Sequence, residues 1–434
     1  MSHFIHRVTS LLLTSTLAIS LAAYAQIEGA PEQLYQNMGA ELTPTLAKPG
    51  QYKVGVKTLS IVNPQQLDVN TQKISDRSLV LEIWYPTSQN QNGPMAHYDN
   101  ETRLGQAFSL QGSAYRDAPV FKGAKPIPLI VLSHGYTGYR SLMFYLGEHL
   151  ASHGYIVAAI DHTDSTNKDV DMVKAGFAGF PSTLYNRSRD QQFTLNYLLD
   201  ETNFLSAVID PEKAGLVGYS MGGYGAVNTI GGCYQFTDAA ITNFMGIKDQ
   251  AQANAIAKLF NSCAGGQYDK AQVDPRWAAA IAFAPWGNQH NLFDPQALKS
   301  IETPVLYVSG EFDDVSDYAS IKRLFKATGG EHTYLLTYNN ARHNIAAHPA
   351  PKVARDNEMN IGHYFEGSWS SQQLNSNNKH FALAMMNCHV KQDKSACPYL
   401  ELSADSNERV IDGVKTPNWL GFPKRYSTGM EWQY

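Results

Sequence analysis

Gly218-Tyr219-Ser220-Met221-Gly222 places a hydroxyl between glycines, after the apolar run Ala214 to Val217 and before the small-residue stretch Gly223 to Val227. A strand that ends on a serine and turns at once into a helix lifts the hydroxyl above the sheet edge. The helix N-terminus beneath it favours developing negative charge. Side chains at the flanking positions would collide with the neighbouring strand or helix, which is what the glycines avoid. The chemistry supported by this pattern is attack on an acyl carbonyl, with Ser220 as nucleophile.

A serine hydroxyl needs a base to take its proton and an acid to orient the base. After the apolar run Val305 to Val308 comes Gly310-Glu311-Phe312-Asp313-Asp314-Val315, and an acid three residues past the glycine selects Asp313. Asp314 and Glu311 are its rivals, and Asp314 and Asp317 are also open to a helix-capping role. After Tyr334 to Thr337 comes Asn339-Asn340-Ala341-Arg342-His343-Asn344, which selects His343 as base, with His348 as competitor. His332 precedes that run, and His149 and His153 fall on a predicted helix and its end. An oxyanion needs two N–H donors. Met221, next after the nucleophile, supplies one. The other is expected from Tyr136, in the loop Ser133-His134-Gly135-Tyr136 after the third strand, where Gly135 lets the backbone approach and His134 braces the loop.

The elements that must hold these residues are legible as short apolar runs. Tyr52 to Ile61 and Leu79 to Tyr85 predict an opening antiparallel pair, the second with Leu79, Leu81 and Ile83 on one face. Leu129 to Leu132, Tyr155 to Ile160, Ala214 to Val217, Ala278 to Phe283, Val305 to Val308 and Tyr334 to Thr337 predict parallel strands covered on both faces. Helical stretches between them, such as Asp190 to Asp200, imply an α/β, mostly parallel, doubly wound sheet. Cys233 to Asp274 reads as an insertion beside the site. Pro349 to Asn378 reads as irregular, before a helix around His380 to Val390.

These residues resemble a known family. Ile83-Trp84-Tyr85-Pro86, Ser133-His134-Gly135, the segment Leu150 to Asp164 and Arg187 to Asp190 are similar to lipoprotein-associated-type platelet-activating factor acetylhydrolases and bacterial dienelactone-hydrolase-like esterases. The resemblance runs from about residue 50 to 345, with a weaker echo at Trp419 to Phe422. It implies the α/β-hydrolase fold, a carboxylester hydrolase without metal or organic cofactor, a Ser220, Asp313 and His343 triad, and Tyr136 and Met221 as oxyanion donors. Dienelactone hydrolases carry a cysteine nucleophile, and the acetylhydrolases often read Gly-His-Ser-Phe-Gly-Gly, so this serine and Gly-Tyr-Ser-Met-Gly-Gly depart from both. Ser220 to Gly223 and Ala284-Pro285-Trp286 resemble cutinase-like polyester hydrolases instead, in which the tryptophan flanks the substrate. Trp286 and Tyr219 are thereby candidate substrate contacts, Trp286 equally a packed strand-end aromatic.

Composition sets the remaining bounds. In 434 residues, 43% are hydrophobic and 17% charged, enough for a large core. A net charge of −5 leaves no basic footprint for nucleic acid or anionic lipid. His6 and Arg7 before the apolar run Leu11 to Ala23, ending in Ala23-Tyr24-Ala25, predict a signal peptide over 1–25 and export to periplasm or medium. Residues 26–434 are expected to form a single domain with no transmembrane segment and an insertion at 233–274. Four cysteines in an exported chain predict disulfides, of which Cys233–Cys263 with Cys388–Cys397 is the simplest of three connectivities. No C-x-x-C or H-E-x-x-H spacing points to a metal. The expected activity is hydrolysis of short-chain or aryl esters through an acyl-enzyme, with phospholipid deacylation or polyester hydrolysis as rivals. A peptidase or amidase, or a non-catalytic binding protein of the same fold, is the alternative from another class.

Overall fold

The computed structural model describes residues 30–36, 38–200, 202–266, 272–407, 410–411, 414–415, 418–423 and 427–434. The expected signal peptide over 1–25 lies outside them. The strands in chain order are β1 (Lys53–Asp68), β2 (Lys73–Thr87), β3 (Met95–Glu101), β4 (Ala107–Arg116), β5 (Ile127–Ser133), β6 (Ile156–Asp161), β7 (Ile209–Tyr219), β8 (Trp277–Phe283), β9 (Val305–Gly310), β10 (Thr333–Tyr338), β11 (Val410–Ile411), β12 (Val414–Lys415) and β13 (Met430–Gln433). All but β11 and β12, which pair with each other, join one sheet in the order β13-β10-β9-β8-β7-β5-β6-β2-β1-β4-β3.

The six central strands β6, β5, β7, β8, β9 and β10 are parallel. Their side chains are almost all buried, which is why they read as continuous apolar runs rather than alternating ones. β1 and β2 form the expected antiparallel pair, and β2 joins β6 antiparallel. The helices are α1 (Phe144–Ser152), α2 (Phe180–Asp200), α3 (Met221–Thr229), α4 (Asp238–Met245), α5 (Gln250–Phe260), α6 (Pro295–Lys299), α7 (Tyr318–Ala327), α8 (Glu358–Ile361) and α9 (Ser371–Met385). Two buried clusters lie on the two faces of the sheet. One gathers Val217, Ile281, Val308 and Leu336 with α1 and α9, and the other gathers Leu216, Ala280, Tyr307 and Leu335 with α2 and α3.

Three differences from the sequence reading have physical causes. In the edge hairpin β3–β4, β3 alternates exposed and buried residues and β4 mixes polar residues among its buried ones, so neither is a continuous apolar run. The hairpin makes the strand before the Ser133 loop the fifth in the chain, not the third. Helix α9 begins at Ser371, where Gln372, Gln373, Asn375, Asn377 and Asn378 hide it from hydropathy. Its buried amides are satisfied, with Asn375 donating to the Ala347 carbonyl and Asn378 to the Ile345 carbonyl. The helix expected at His380 to Val390 is the end of α9 continued by a wider turn over Met386–Val390. Finally, Cys233 to Asp274, where the sequence reading names no element, carries the helices α4 and α5.

Both local disulfides are formed, Cys233–Cys263 and Cys388–Cys397. The first ties the segment to α3 together with the Asn228 amide, which donates to the Ser262 carbonyl at 2.7 Å and accepts from Gly265 N–H at 3.2 Å. No helix among the described residues is long and apolar enough to cross a membrane.

Candidate active site

Ser220 sits at the junction of β7 and α3 with φ 54° and ψ −113°, a conformation that a non-glycine residue adopts only when its surroundings impose it. The junction is held from both sides: Ser220 N–H donates to the Phe283 carbonyl at 2.8 Å, and its own carbonyl accepts from Tyr224 N–H at 2.9 Å and Trp286 N–H at 3.2 Å. A Cβ on Gly218 would stand 2.2 Å from the Gly222 carbonyl oxygen, and one on Gly222 would stand 2.0 Å from that of Ser133. The two flanking glycines are therefore required by backbone packing.

Two loops at the carboxyl end of the sheet bring the other groups to Ser220. His343, five residues past β10, places Nε2 3.0 Å from Ser220 Oγ. Its Nδ1 lies 3.0 Å from each oxygen of Asp313, three residues past the end of β9. Burial would push the Asp313 carboxyl up, but the facing imidazole and the N–H groups of Ser316 and Val315 outweigh it and hold it below its usual range. The rivals are engaged elsewhere. Glu311 accepts from Asn340 N–H, Asp314 pairs with Arg342 at 3.0 Å where both are more than half exposed, and Asp317 caps α7 at Ser320 N–H. His348 is buried between the Tyr139 hydroxyl and the Pro349 carbonyl. His149 and His153 bond to the Leu46 and Lys48 carbonyls, and His332 stacks on Tyr334.

Beside the serine, a Cβ on Gly135 would reach to 3.1 Å of Ser220 Cβ, so the Gly135–Tyr136 backbone runs directly past the hydroxyl-bearing carbon. Among the described residues, neither Tyr136 N–H nor Met221 N–H donates to another protein group. Met221 is the first residue of α3, whose leading N–H groups have no intrahelical partner. The loop rests on a buried network that motif reading leaves without a role, although Ser133, His162 and Asp190 all lie in the segments that carried the resemblance. Ser133 Oγ lies 2.8 Å from His162 Nε2, and His162 Nδ1 lies 2.9 Å from Asp190. Asp190 in turn accepts two hydrogen bonds from Arg77. His134 hydrogen-bonds the Gly135 carbonyl and accepts from His162 N–H, which is the bracing expected of it. Arg187 donates to the His134 carbonyl at 2.9 Å, and Gln191 ties Ser133 Oγ to the Gly222 carbonyl. Burial and the nearby Arg187 guanidinium push His162 down to about 3, against the pull of Asp190. It is therefore a neutral spacer between the hydroxyl and the carboxylate. Fully enclosed, this second Ser–His–Asp chain can position the loop but cannot meet a substrate.

Ser220 and His343 open into a cavity of about 870 Å³, the size that takes a drug-sized molecule. One wall is aromatic: the Trp286 ring meets Phe180 at 5.3 Å, Phe244 at 5.7 Å and His290 at 4.9 Å between centroids. Trp286 thus serves both readings, since it is packed in the core and also faces the cavity. Tyr219 lines the cavity too, but its ring packs against that of His343 and its hydroxyl lies 3.3 Å from the His343 carbonyl and the Asn344 amide. Phe180, Phe244, His290 and Arg103 are lining residues that sequence reasoning missed, because no motif surrounds them.

Comparison with known proteins is consistent with this geometry. The family model described as platelet-activating factor acetylhydrolase, isoform II, matches residues 40–176, and one described as PET hydrolase-like matches 119–240. A cutinase from Thermobifida alba is 35% identical over 99 residues, which are 23% of this chain and 28% of the cutinase. A platelet-activating factor acetylhydrolase from Cavia porcellus is 25% identical over 187 residues, 34% of this chain and 43% of that protein. The chain thus spans less than half the length of these curated relatives. The structure of a ferulic acid esterase from Streptomyces cinnamoneus superposes with a TM-score of 0.57 at 20% identity, covering 84% of this chain and 94% of the other.

Proposed function

For this member of the α/β-hydrolase superfamily, we propose the activity of an exported serine carboxylester hydrolase that works through an acyl-enzyme. The observation that carries the reading is the continuous hydrogen-bond line from Ser220 Oγ through His343 to Asp313, each step 3.0 Å, with Ser220 and His343 lining the cavity.

In this reading His343 Nε2 takes the Ser220 proton as Oγ attacks the ester carbonyl. Asp313 keeps the Nδ1–H tautomer in place and stabilises the imidazolium that forms. The carbonyl oxygen, now negative, turns toward the N–H groups of Met221 and Tyr136, each such donor being worth about 3–4 kcal/mol in the transition state. His343 then protonates the departing alcohol, and a water repeats the sequence from the other side to release the acid. The aromatic wall of Phe180, Phe244 and Trp286 favours aryl esters among the substrates that the relatives' names suggest. Export is supported by the apolar run Leu11 to Ala23 and by the two disulfides.

A fluorophosphonate probe tests the nucleophile: peptide mapping is expected to find a single adduct, on Ser220. An adduct on another serine, or none on folded protein, removes the assignment. Turnover of p-nitrophenyl acetate without turnover of peptide p-nitroanilides separates the esterase from a peptidase, and labelling of any kind separates both from a non-catalytic binding protein.

A further inference from the structure

Arg103, in the turn between β3 and β4, lines the same cavity as Ser220. Its Nε donates to Thr137 Oγ1 at 3.1 Å, one residue past Tyr136. Among the described residues its two Nη groups have no acceptor, and no carboxylate lies within 4.0 Å of it. The groups around it are Tyr219, Tyr364 and His363, none of them an anion at neutral pH. The two carboxylates on the cavity are held by another residue: Glu366 accepts from Arg342 N–H at 2.6 Å, and Asp314 pairs with the Arg342 side chain.

Other enclosed arginines of this chain are satisfied differently. Arg77, Arg140 and Arg276 each pair with two carboxylates. Arg187, without a carboxylate, gives its two Nη groups to the His134 carbonyl and Ser165 Oγ. Arg189 lies 3.8 Å over the Tyr185 ring and donates to the Tyr185 carbonyl. Arg103 alone of these leaves both Nη groups without a protein acceptor, and it lines the cavity that holds Ser220. Arg103 is half-buried and its Nη donors have no protein partner, so a carboxylate matching the fork would replace water there with two charge-assisted bonds.

We propose that Arg103 is an anion subsite, and that the substrates it selects are esters carrying a second, free carboxylate, as in the half-esters of aromatic dicarboxylic acids. The ring of such a substrate suits the wall of Phe180, Phe244 and Trp286. Water cleaves the single ester bond, leaving the dicarboxylate and the alcohol, with no other reactant. The inference rests on the esterase reading and adds a charge requirement to it.

The test compares monomethyl terephthalate with methyl 4-methylbenzoate, which has nearly the same shape but no charge. The wild-type kcat/KM is expected to be at least about tenfold higher for the anion, and Arg103→Gln should reduce that ratio by about tenfold or more. Arg103→Lys, which keeps the charge and loses the fork, should fall between. Arg103→Glu should move the preference to methyl 4-(trimethylammonio)benzoate. A wild-type ratio at or below one, or a ratio that Arg103→Gln leaves unchanged, overturns the subsite while turnover of the neutral ester keeps the esterase reading intact. If neither ester is turned over, p-nitrophenyl acetate decides the esterase reading and calorimetry decides the subsite: terephthalate should bind Ser220→Ala, and about tenfold more weakly when Arg103→Gln is added. Equal binding to the two, or none, overturns it. Should the Gln variant not fold, the wild-type ratio and the Lys variant carry the test.

Discussion

Asp313 and Asp314 are adjacent acids on one loop with different surroundings. The first is enclosed and faces His343, and the second sits at the surface against Arg342. If Asp313 orients the base, Asp313→Asn leaves His343 in the wrong tautomer and should cost about 10⁴-fold in turnover. Asp314→Asn loses only an exposed ion pair and should cost far less. Steady-state kinetics on p-nitrophenyl acetate decides between them, and a reversal of the two effects would assign the acid to Asp314. Spacing from Gly310 favours the carboxylate that the fold sets against His343, because the turn after β9 is short. The Arg103 subsite had no such marker, since its relation to Ser220 exists only once the β3–β4 hairpin has folded against the Thr137 loop.

Strands β5 and β2, the turn after β6 and helix α2 meet beneath the Ser133 to Tyr136 loop, and what joins them is polar. Asp190 on α2 is held well below the usual carboxylate range: burial works against it, and the Arg77 guanidinium and the His162 bond outweigh burial. Asp190→Asn would leave Arg77 with the partly exposed Asp164 as its one carboxylate, and a single amide oxygen where Arg77 and His162 now share two. Breaking a buried pair in this way should cost about 3–5 kcal/mol, read as a lower urea midpoint at constant m-value. In the proposed mechanism the network braces one oxyanion donor, so kcat should fall more than KM rises. An unchanged kcat in folded Asp190→Asn would reduce the network to a purely structural role. At the Ser220 turn, Gly222→Ala should prevent soluble expression or abolish fluorophosphonate labelling, because the clashing atoms are backbone.

Across the whole molecule, neutral histidines are built into the interior. Burial pushes His162 and His380 down to about 3 and His348 to about 4. In the unfolded chain a histidine titrates near 6.5, so each of these takes up a proton on unfolding at any pH between its folded and unfolded values. Their contribution to stability is complete above about pH 6.5 and declines as pH falls, by up to about 1.4 kcal/mol per pH unit for each. Denaturant titrations at pH 7, 6 and 5 should show a steep loss, and a flat profile over that range would contradict neutral burial. The disulfides act at the same scale. Each should contribute roughly 2–4 kcal/mol, the longer Cys233–Cys263 loop the more. That bond clamps the segment bearing Phe244 and Asn243, which line the cavity. Reduction should therefore lower the Tm and raise KM more than it lowers kcat. An unchanged KM on reduction would detach the clamp from the site.

What the linear sequence determined was whatever is written in neighbouring residues. The six parallel strands are continuous apolar runs because both their faces are covered, and the serine turn is marked by glycines that backbone contact demands. The candidate acid Asp313 and base His343 follow strands at short, regular distances, and the local cysteine pairs join by the simplest connectivity. Tertiary structure decided what depends on residues far apart in the chain. It brought the edge hairpin β3–β4, alternating and half exposed, to the sheet margin, and it buried the amide-rich start of α9 by giving those amides distant carbonyl partners. The Ser133–His162–Asp190–Arg77 network joins four separate segments through hydrogen bonds that leave no periodicity. The aromatic wall and the open Arg103 fork likewise converge on Ser220 from loops and helices remote in sequence, because side chains gathered by folding need share no local pattern.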